Sequence, residues 1–546
     1  MNVAFELWIP VVDTSGNRKL ASLCSVLTEG EKYADLAVRP HERVSLMRLF
    51  LCVAHAALDG PKNYDDWLEV PKRLPDAVKK YLEHWKDSFE LFHKEKPWLQ
   101  VKELKGDKTS PVALLDFELA TGNNTTLFDH AGQTNRRQIE PERIALNLLT
   151  FLNFSPGGGA PIAQWQAVTT KQVGNPDAPC LSQSMAHCLL RGKTLTETIH
   201  LNMPSYDNIV KTYKSFLTHK KDAKNKKWAR VEFADIGLGR PVWELFPDAP
   251  DLKRECIANA TKTYLGRLAP ISRWIKLLHG TDQMYCCNGF KYDTFKDGFP
   301  AEPTAAVRVA TMRDINEANT DKRKVVKIDP LKALWRELSA LMIERSAYGL
   351  GGPLAMGNAP RDTEFDFHVC AMIRDQASMD VAVESVFSIK PTFQDNFYVY
   401  QAEVTGTNNV LGAEGHARKL RRAVEEYRKL IDADWAPRVK RTEAKKQGVL
   451  RNRLAETAFL SYWTAVEKNL SLIMNHIYAV GSYDSEPTLK TWRLMLYRAS
   501  IEGYSVACGQ ETPRQIRAYA KGLEKLKKTT DEAESKNDIE NEEEKE

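Results

Sequence analysis

Three consecutive glycines lie between two prolines in the segment Asn153–Pro161, and they are the first candidate for chemistry in this sequence. Glycine adopts backbone angles that are closed to other residues, and without a Cβ its N–H groups can approach a ligand closely. Such a run forms neither a helix nor a central strand, so a loop is predicted. The loop offers backbone donors to a flat or anionic group. On these residues alone, a flexible surface turn is the alternative.

Enzyme motifs are incomplete in the sequence. Asp129 and His130 are adjacent, but sequence neighbours seldom point at one another, so a structural or capping role is favoured over an acid/base pair or a metal site. Gly192-Lys193-Thr194 resembles the end of a phosphate-binding loop that lacks its first glycine. There is no H-E-x-x-H motif, nucleophile elbow or close pair of metal-binding carboxylates. No catalytic residue, metal or other cofactor is predicted.

Cysteine usage and hydropathy narrow the class of protein. The nine cysteines include no C-x-x-C, so neither a disulfide framework nor a zinc site is indicated. No basic lead precedes an apolar run at the N-terminus, and no later stretch is apolar for long enough to span a bilayer. We therefore expect a cytoplasmic protein with no membrane partner.

Charge is unevenly distributed along the chain. Residues 531–546 carry a net charge of −7 against +5 for the whole chain, which leaves +12 on the remainder. A body of that charge suits a polyanionic partner, although the excess is modest for this size. The lysine-rich stretch from Lys211 to Arg230 fits a solvated linker as well as a surface that contacts phosphates.

The glycine loop must be positioned by the elements around it. Apolar residues at helical spacing predict a helix over about 41–58, and a second helix begins near Pro141 and runs into the glycine loop. A further helix is predicted over Cys180 to Leu190. Residues Phe365–Ile373 read as a buried strand that ends at Arg374–Ser378, with polar side chains pointing outward.

Long helices follow from about residue 410 and predict an up-and-down four-helix bundle. Their expected bounds are Ala413–Ile431, Arg441–Val480, Pro487–Ala507 and Pro513–Lys527. The predicted class is α+β. Residues 1–400 would form a large mixed α/β domain with irregular loops, 401–528 the four-helix bundle, and 529–546 an acidic disordered tail.

At this point the residues resemble a known family, CasA, the large subunit of the type I-E CRISPR surveillance complex called Cascade. The resemblance covers nearly the whole chain, and it is specific through the order and spacing of short motifs. These motifs are Trp8-Ile9-Pro10-Val11, Lys96-Pro97-Trp98-Leu99-Gln100, Asn124 through His130, the glycine loop, Arg191 through Asn202, Arg374-Asp375-Gln376-Ala377-Ser378 and the terminal helices.

The resemblance implies a non-enzymatic subunit of an RNA-guided antiviral complex. Such a subunit recognises the protospacer-adjacent motif in double-stranded target DNA, starts duplex opening and docks the helicase-nuclease. Its expected partners are the target DNA, the other subunits of the guide RNA–protein complex and the helicase-nuclease. Within the family a glycine loop contacts the motif through the minor groove, and Gly157, Gly158 and Gly159 match that loop.

A glutamine wedge enters the duplex beside the motif in this family, and Gln376 with Ala377 matches it. Asp375 stands where the family often has asparagine. Because a carboxylate is repelled by phosphates, either Asp375 accepts from a base donor or the preferred motif differs.

Two further contacts are implied by the resemblance. A basic side chain reaches a base in the minor groove, for which Arg313 is the candidate and Arg308 its rival. A loop corresponding to Leu127 through Arg137 anchors the subunit to the guide-RNA end and the motif-proximal duplex, and Phe128 is its expected aromatic contact.

Two other functions are compatible with the sequence. A metal-dependent nucleic-acid hydrolase would use the loops that contain Asp129 and His130. A purely structural scaffold would use the terminal helices to hold partners together while its loops read no sequence.

Overall fold

The computed structural model describes residues 1–119, 138–166, 168–169, 174, 176–181, 184–215, 219–221, 228–230, 238–246, 254–292, 302–309, 323–329, 332–345, 350–375, 378–407, 409–431 and 441–527. The chain divides into two compact units, Met1–Ile389 and Lys390–Glu546. Each unit is described separately.

Short strands run through the first unit. They are β1 (Ile9–Asp13), β2 (Arg18–Ala21), β3 (Tyr33–Leu36), β4 (Leu104–Gly106), β5 (Ser110–Pro111), β6 (Ala163–Trp165), β7 (Val168–Thr169), β8 (His187–Arg191), β9 (His219–Lys221), β10 (Trp228–Arg230), β11 (Arg273–Leu277), β12 (Gln283–Asn288), β13 (Val307–Val309), β14 (Arg323–Val325), β15 (Phe365–Asp375) and β16 (Ser378–Ile389).

These strands form small antiparallel sheets. Four sheets of three strands have the orders β2-β1-β3, β4-β6-β7, β11-β12-β5 and β16-β15-β8, and two more sheets pair β9 with β10 and β13 with β14.

Helices cover and separate these sheets. They are α1 (Leu23–Thr28), α2 (Pro40–Leu58), α3 (Tyr64–Leu68), α4 (Val70–His84), α5 (Pro141–Phe154), α6 (Leu195–Leu201), α7 (Tyr206–Ser215), α8 (Arg254–Lys262), α9 (Tyr264–Leu268) and α10 (Leu338–Leu341).

The helix α2 is the centre of the first unit. Pro40 occupies its first turn, where a missing N–H costs nothing, and Glu42 Oε2 accepts from the Arg39 N–H at 2.9 Å. The helix is buried from His41 to His55 and packs against α4, α5, α9 and β15. The helices predicted over 41–58 and from Pro141 into the glycine loop are confirmed.

The helix predicted over Cys180 to Leu190 is wrong. Residues His187–Arg191 form the strand β8, whose Leu190 is paired with Phe367 of β15. A short apolar run has no periodicity that separates a buried strand from a helix, and here the pairing with a distant strand decides the outcome.

Thr194 explains the partial phosphate-loop motif. Its side chain caps α6 by accepting from the Glu197 N–H at 3.3 Å, and the Lys193 N–H donates to Glu197 Oε2 at 2.7 Å. Gly192-Lys193-Thr194 is therefore the start of a short helix.

The predicted strand Phe365–Ile373 is longer than expected and is followed by the strand β16, which the sequence analysis missed. The two strands pair from Phe365 with Ile389 to Asp375 with Ser378, with one register shift after Ile373. The segment Val381–Ile389 holds β-branched and aromatic residues near period two, which is the signal that predicts such a strand.

The second unit is helical. Its helices are α11 (Pro391–Asp395), α12 (Phe397–Thr405), α13 (Gly412–Ile431), α14 (Arg441–Lys468), α15 (Leu470–Ala479), α16 (Ser485–Ala507) and α17 (Pro513–Lys527). The helix α13 packs against α14, α16 and α17, and α16 also packs against α14 and α15. The mixed α+β class with a helical C-terminal region is confirmed.

The long helix predicted over Arg441–Val480 is interrupted at Asn469. This residue leaves helical geometry, with φ −114° and ψ 21°, and its side-chain amide donates to the Ala465 carbonyl at 2.8 Å. Asparagine competes with the backbone for hydrogen bonds in this way. The up-and-down four-helix bundle and the domain bounds stay predictions, and the acidic tail lies outside the described residues.

We expect Gly522→Ala to destabilise the second unit by about 1–3 kcal/mol, because a Cβ there lies 2.0 Å from Tyr504 Oη and 2.8 Å from the Ala423 carbonyl oxygen. Helix propensity alone would favour alanine by about 1 kcal/mol. Urea unfolding of the full chain, followed by circular dichroism, measures the change. Ala520→Gly, at an exposed site of the same helix, isolates the propensity effect. A higher unfolding midpoint for Gly522→Ala would contradict the expectation.

Candidate nucleic-acid interface

The glycine loop leaves the end of α5 with its first residues fixed. The Ser155 N–H donates to the Phe151 carbonyl at 2.7 Å, and the Ser155 carbonyl accepts from the Ala178 N–H at 2.9 Å. Ser155 is buried, and its hydroxyl lies 3.2 Å from the Ser272 hydroxyl. The start of the loop is therefore part of the core rather than a flexible turn.

Two charged side chains hold the next two residues. Arg273 Nη2 donates to the Pro156 carbonyl at 2.5 Å, and the Gly157 N–H donates to Asp177 Oδ1 at 2.7 Å. The Gly157 donor is thus already used within the protein. The exposed glycines are Gly158 and Gly159.

Gly158 needs to be glycine for its backbone angle rather than for space. Its φ is +149°, a value that side-chain-bearing residues rarely adopt, and a Cβ there would meet no atom of the described residues within 4 Å. The open space in front of Gly158 lets another molecule reach the backbone directly.

A buried ionic network lies beneath the loop. Arg48 of α2 donates from Nε to Asn153 Oδ1 at 2.8 Å, and its other nitrogens donate to Glu302 Oε2 and to the Arg267 carbonyl. Arg267 Nη2 donates to Glu302 Oε1 at 2.8 Å. Since Asn153 belongs to the last turn of α5, this network fixes the helix end from which the loop departs.

The Glu302 carboxylate is ionised within this network. Burial alone would raise its pKa, but Arg48 and Arg267 outweigh burial and hold that pKa at about 2. Nearby, both ring nitrogens of His187 have partners: Nδ1 lies 2.7 Å from Thr304 Oγ1 and Nε2 lies 2.8 Å from the Cys180 carbonyl. Because Cys180 Sγ also donates to Asn153 Oδ1 at 3.5 Å, these hydrogen bonds connect the network to β8.

The loop and the β15–β16 hairpin share one apolar cluster. Phe154, the last residue of α5, packs in this cluster with Cys180, and with Cys370 and Met372 of β15. Met372 is three residues from the paired end of the strand at Asp375, which corresponds to about 10 Å at the usual rise of a strand. The fold therefore brings the glycine loop and this hairpin together although they are far apart in sequence.

Arg191 ties the base of the hairpin to the β1–β3 sheet. Its guanidinium lies 3.5 Å from Asp35 and 4.0 Å from Asp366, and Asp35 also accepts from Arg43 of α2 at 2.5 Å. The hairpin is thus anchored by ion pairs as well as by pairing with β8.

Arg308 is an exposed basic residue on the β13–β14 hairpin. The Glu337 carboxylate lies 3.9 Å from Arg308 and is held at 2.5 Å by Lys332. Arg308 faces exposed Lys324 directly across the strand pair, so two cations lie on one face.

The other predicted site residues are not placed by the structure. Phe128, Arg313, Gln376 and Ala377 lie outside the described residues, as does the side chain of Asp375, whose backbone ends β15. Asp116 precedes the segment that carries Phe128 and Arg143 follows it. The two residues form an ion pair at 3.0 Å.

Sequence reasoning missed the residues that support the loop, namely Asp177, Arg273, Arg48 and Glu302. Only Arg48 gave a signal, because it interrupts the apolar pattern of a buried helix. The other three are defined by distant contacts. In the part of the chain that the structure describes, no group of His, Cys, Asp and Glu side chains is arranged to hold a metal ion, and no helix is long and apolar enough to cross a membrane.

The family model described as CRISPR-associated protein Cse1 matches residues 2–502. A curated relative, CRISPR-associated protein CasA/Cse1 of Thermus thermophilus, is 34% identical over 348 residues, 62% of this chain. The chain spans 60% of the length of that relative.

Two solved structures show a similar fold over nearly the whole chain. The crystal structure of CasA from Thermus thermophilus has a TM-score of 0.67 at 21% identity, with 97% of this chain and 98% of that chain covered. A chain of a CRISPR RNA-guided surveillance complex has a TM-score of 0.67 at 16% identity, with 96% and 99% covered.

We expect Asp177→Ala to speed hydrogen exchange at the Gly157 amide, because the acceptor of that N–H is removed. The global free energy of unfolding should change by only about 1 kcal/mol. Asp177→Asn keeps an oxygen acceptor and is the matched control. Exchange of the full chain, followed by mass spectrometry or NMR, measures the effect, and an unchanged Gly157 amide in Asp177→Ala would show that this contact does not hold the loop in solution.

We expect Glu302→Gln to destabilise the first unit by about 3–5 kcal/mol at neutral pH, because two buried arginines lose the carboxylate they share. The Glu302 pKa of about 2 lies below the value of about 4.3 for an unfolded glutamate. Its contribution is therefore complete above about pH 4.3 and is lost as the pH falls towards 2.

The difference in unfolding free energy between wild type and Glu302→Gln should accordingly shrink across that window in urea titrations. Glu69→Gln, at an exposed pair with Lys72, is the control and should change stability by less than about 1 kcal/mol. A difference that is independent of pH would rule out the ionised pair as its source.

Proposed function

This chain belongs to the CRISPR-associated Cse1 family, as the resemblance of its sequence to CasA predicts, and from that premise we propose that it is the large subunit of a Cascade surveillance complex. In that complex it recognises the protospacer-adjacent motif in double-stranded DNA, initiates duplex opening and recruits the helicase-nuclease. The observation that carries the proposal is the family match over residues 2–502, together with the shared cluster beneath the glycine loop and the hairpin.

The glycine loop is the proposed reader of the minor groove. Gly158 and Gly159 are exposed, and a Cβ built on Gly158 would contact none of the described residues. The minor groove presents a degenerate set of acceptors, so backbone donors and one basic side chain give tolerant discrimination among short motifs. Because the Gly157 donor is used by Asp177, the next two residues supply the contact.

The β15–β16 hairpin carries the proposed wedge. Gln376 and Ala377 join its paired ends, Asp375 and Ser378. Opening a base step costs a few kcal/mol, which contacts to the DNA backbone and then guide pairing offset. A long hairpin whose strand β15 also pairs with β8 and packs in the core cluster suits this task. Asp375 sets the motif preference in this proposal by accepting from a base donor.

Arg308 and Arg313 are the proposed basic contacts in the minor groove. Arg308 is supported by its exposure and by the neighbouring Lys324, which adds attraction for phosphates. Phe128 is the proposed aromatic contact to the guide-RNA end. The body charge of +12 favours association with nucleic acid in general.

The proposed subunit is non-enzymatic, cytoplasmic and without a cofactor. Its partners are double-stranded target DNA, the guide RNA–protein subunits and the helicase-nuclease. A solved CRISPR RNA-guided surveillance complex contains a chain of this fold, which supports the assembly.

We expect Gly158→Asp to weaken motif-dependent binding of target DNA by at least about tenfold in the assembled complex, because it adds a side chain and a repelled charge where backbone must approach DNA. Gln376→Ala should weaken binding less. Gel shifts with matched and altered motifs measure both. Gly16→Asp is the control, since Gly16 also has a positive φ, +87°, with open space around it, in the β1–β2 turn.

Unchanged motif-dependent affinity in both variants would refute the site assignment, whereas binding that ignores the motif in the wild type would favour the scaffold function. DNA cleavage by the isolated chain that needs a metal and Asp129 would favour the hydrolase.

A further inference from the structure

A cavity of about 530 Å³ lies in the first unit, on residues that the proposed function does not use. It is bordered by segments from four parts of the chain. Its lining includes Trp85, Leu99, Trp165, Val242, Trp243 and Glu244. A volume of this size is typical of sites for small ligands.

Aromatic rings form much of the wall. Trp165 and Trp243 are buried, and Phe246 and Trp85 are half-buried. The rings of Trp165 and Phe246 lie 6.4 Å apart with their planes tilted at 49°. An aromatic wall of this kind can attract a cation that lies over a ring face.

One carboxylate in the wall is held with a defined orientation. The indole N–H of Trp243 can only donate, and it donates a hydrogen bond to Tyr81 Oη at 2.8 Å. The Tyr81 hydroxyl in turn donates to Glu244 Oε1 at 2.5 Å. Glu244 is thereby fixed as an acceptor next to a tryptophan.

Glu244 lacks a close cation. Among the described residues, no Lys, Arg or His nitrogen lies within 4.0 Å of its carboxylate, although Arg240 and His84 interact with it at longer range. Burial raises the pKa of this carboxyl. A half-buried carboxylate without an ion-pair partner is stabilised by a ligand that brings a positive charge.

The rim carries two lysines, Lys96, which is exposed, and Lys102. Lys102 Nζ lies 2.6 Å from Glu95 and 3.9 Å from Glu103, so this lysine is already neutralised. With Glu244, the lining has three carboxylates against two lysines, which disfavours an anion such as a nucleotide.

We propose that this cavity binds an aliphatic ammonium compound, a diamine or polyamine, with one ammonium group between Glu244 and the tryptophan rings. The apolar side chains of Val242, Leu99 and Pro97 suit the methylene chain, and the rim carboxylates suit a second ammonium group. The same chemistry is carried by a lysine side chain of a partner protein, and the experiment separates these sources.

Isothermal titration of the full chain with spermidine and with 1,4-diaminobutane, near physiological salt, tests the proposal. We expect saturable binding of both amines. Glu244→Gln should weaken it at least about tenfold, because glutamine still accepts from Tyr81 but carries no charge. Glu69→Gln removes an exposed carboxylate that does not line the cavity, and it should change the affinity less than about twofold. Trp85→Leu should weaken binding about two- to fivefold through loss of a ring face.

Absence of amine binding to the wild type, or equal affinity in wild type and Glu244→Gln, would overturn the proposal. Tighter binding of adenosine monophosphate than of spermidine would also overturn it, as would binding of a lysine-containing peptide without binding of either amine. If thermal melting shows that Glu244→Gln is unfolded, the Trp85→Leu result decides. This test does not depend on DNA binding, so its failure leaves the proposed function untouched.

Discussion

A glutamate buried between two arginines is the constraint on which the larger unit depends. Removing three charged groups from water costs several kcal/mol for each ion, and this cost is offset only by good geometry and further hydrogen bonds. Arg48 meets that condition, since its guanidinium donates to Asn153, to Glu302 and to the Arg267 carbonyl. These partners come from α5, α9 and the segment that begins at residue 302. The three therefore keep one relative arrangement, because any shift would leave a buried charge without a partner.

This buried network provides a rigid support for the exposed glycines. Asn153 and Phe154 are the last two residues of α5. Asn153 accepts a hydrogen bond from Arg48, and Phe154 packs in the cluster that contains Met372 of the hairpin. A contact surface built from backbone is useful only if the backbone stays in place, and sites on rigid supports keep their geometry better than sites on free loops. The positive φ of Gly158 adds the open approach. A loop that reads a groove through its backbone needs both a rigid support in the core and exposed backbone groups.

The sequence pattern predicted the glycine loop and the helices α2 and α5, which interactions between residues close in sequence determine. The loop follows from three glycines between prolines, and α2 and α5 follow from helical spacing of apolar residues, because those signals lie within a few residues. The strand β8 was predicted as a helix because its pairing partner, β15, lies far away in sequence. Asp177 and Glu302 gave no signal for the same reason. The resemblance to CasA supplied the family, but it could not show that the Gly157 donor is already occupied.

That occupied donor changes the electrostatics of the proposed interface. Asp177 places a negative charge directly under the glycine loop, and a phosphate about 10 Å away in water would be repelled by roughly 0.4 kcal/mol. Arg273 offsets this charge, because it interacts electrostatically with Asp177 and holds the Pro156 carbonyl. The pair therefore orients the loop from both sides while adding almost no net charge. In the proposed interface, attraction for DNA would therefore come from basic side chains outside the loop, such as Arg308 and Lys324, and the loop itself would discriminate by shape and hydrogen bonding.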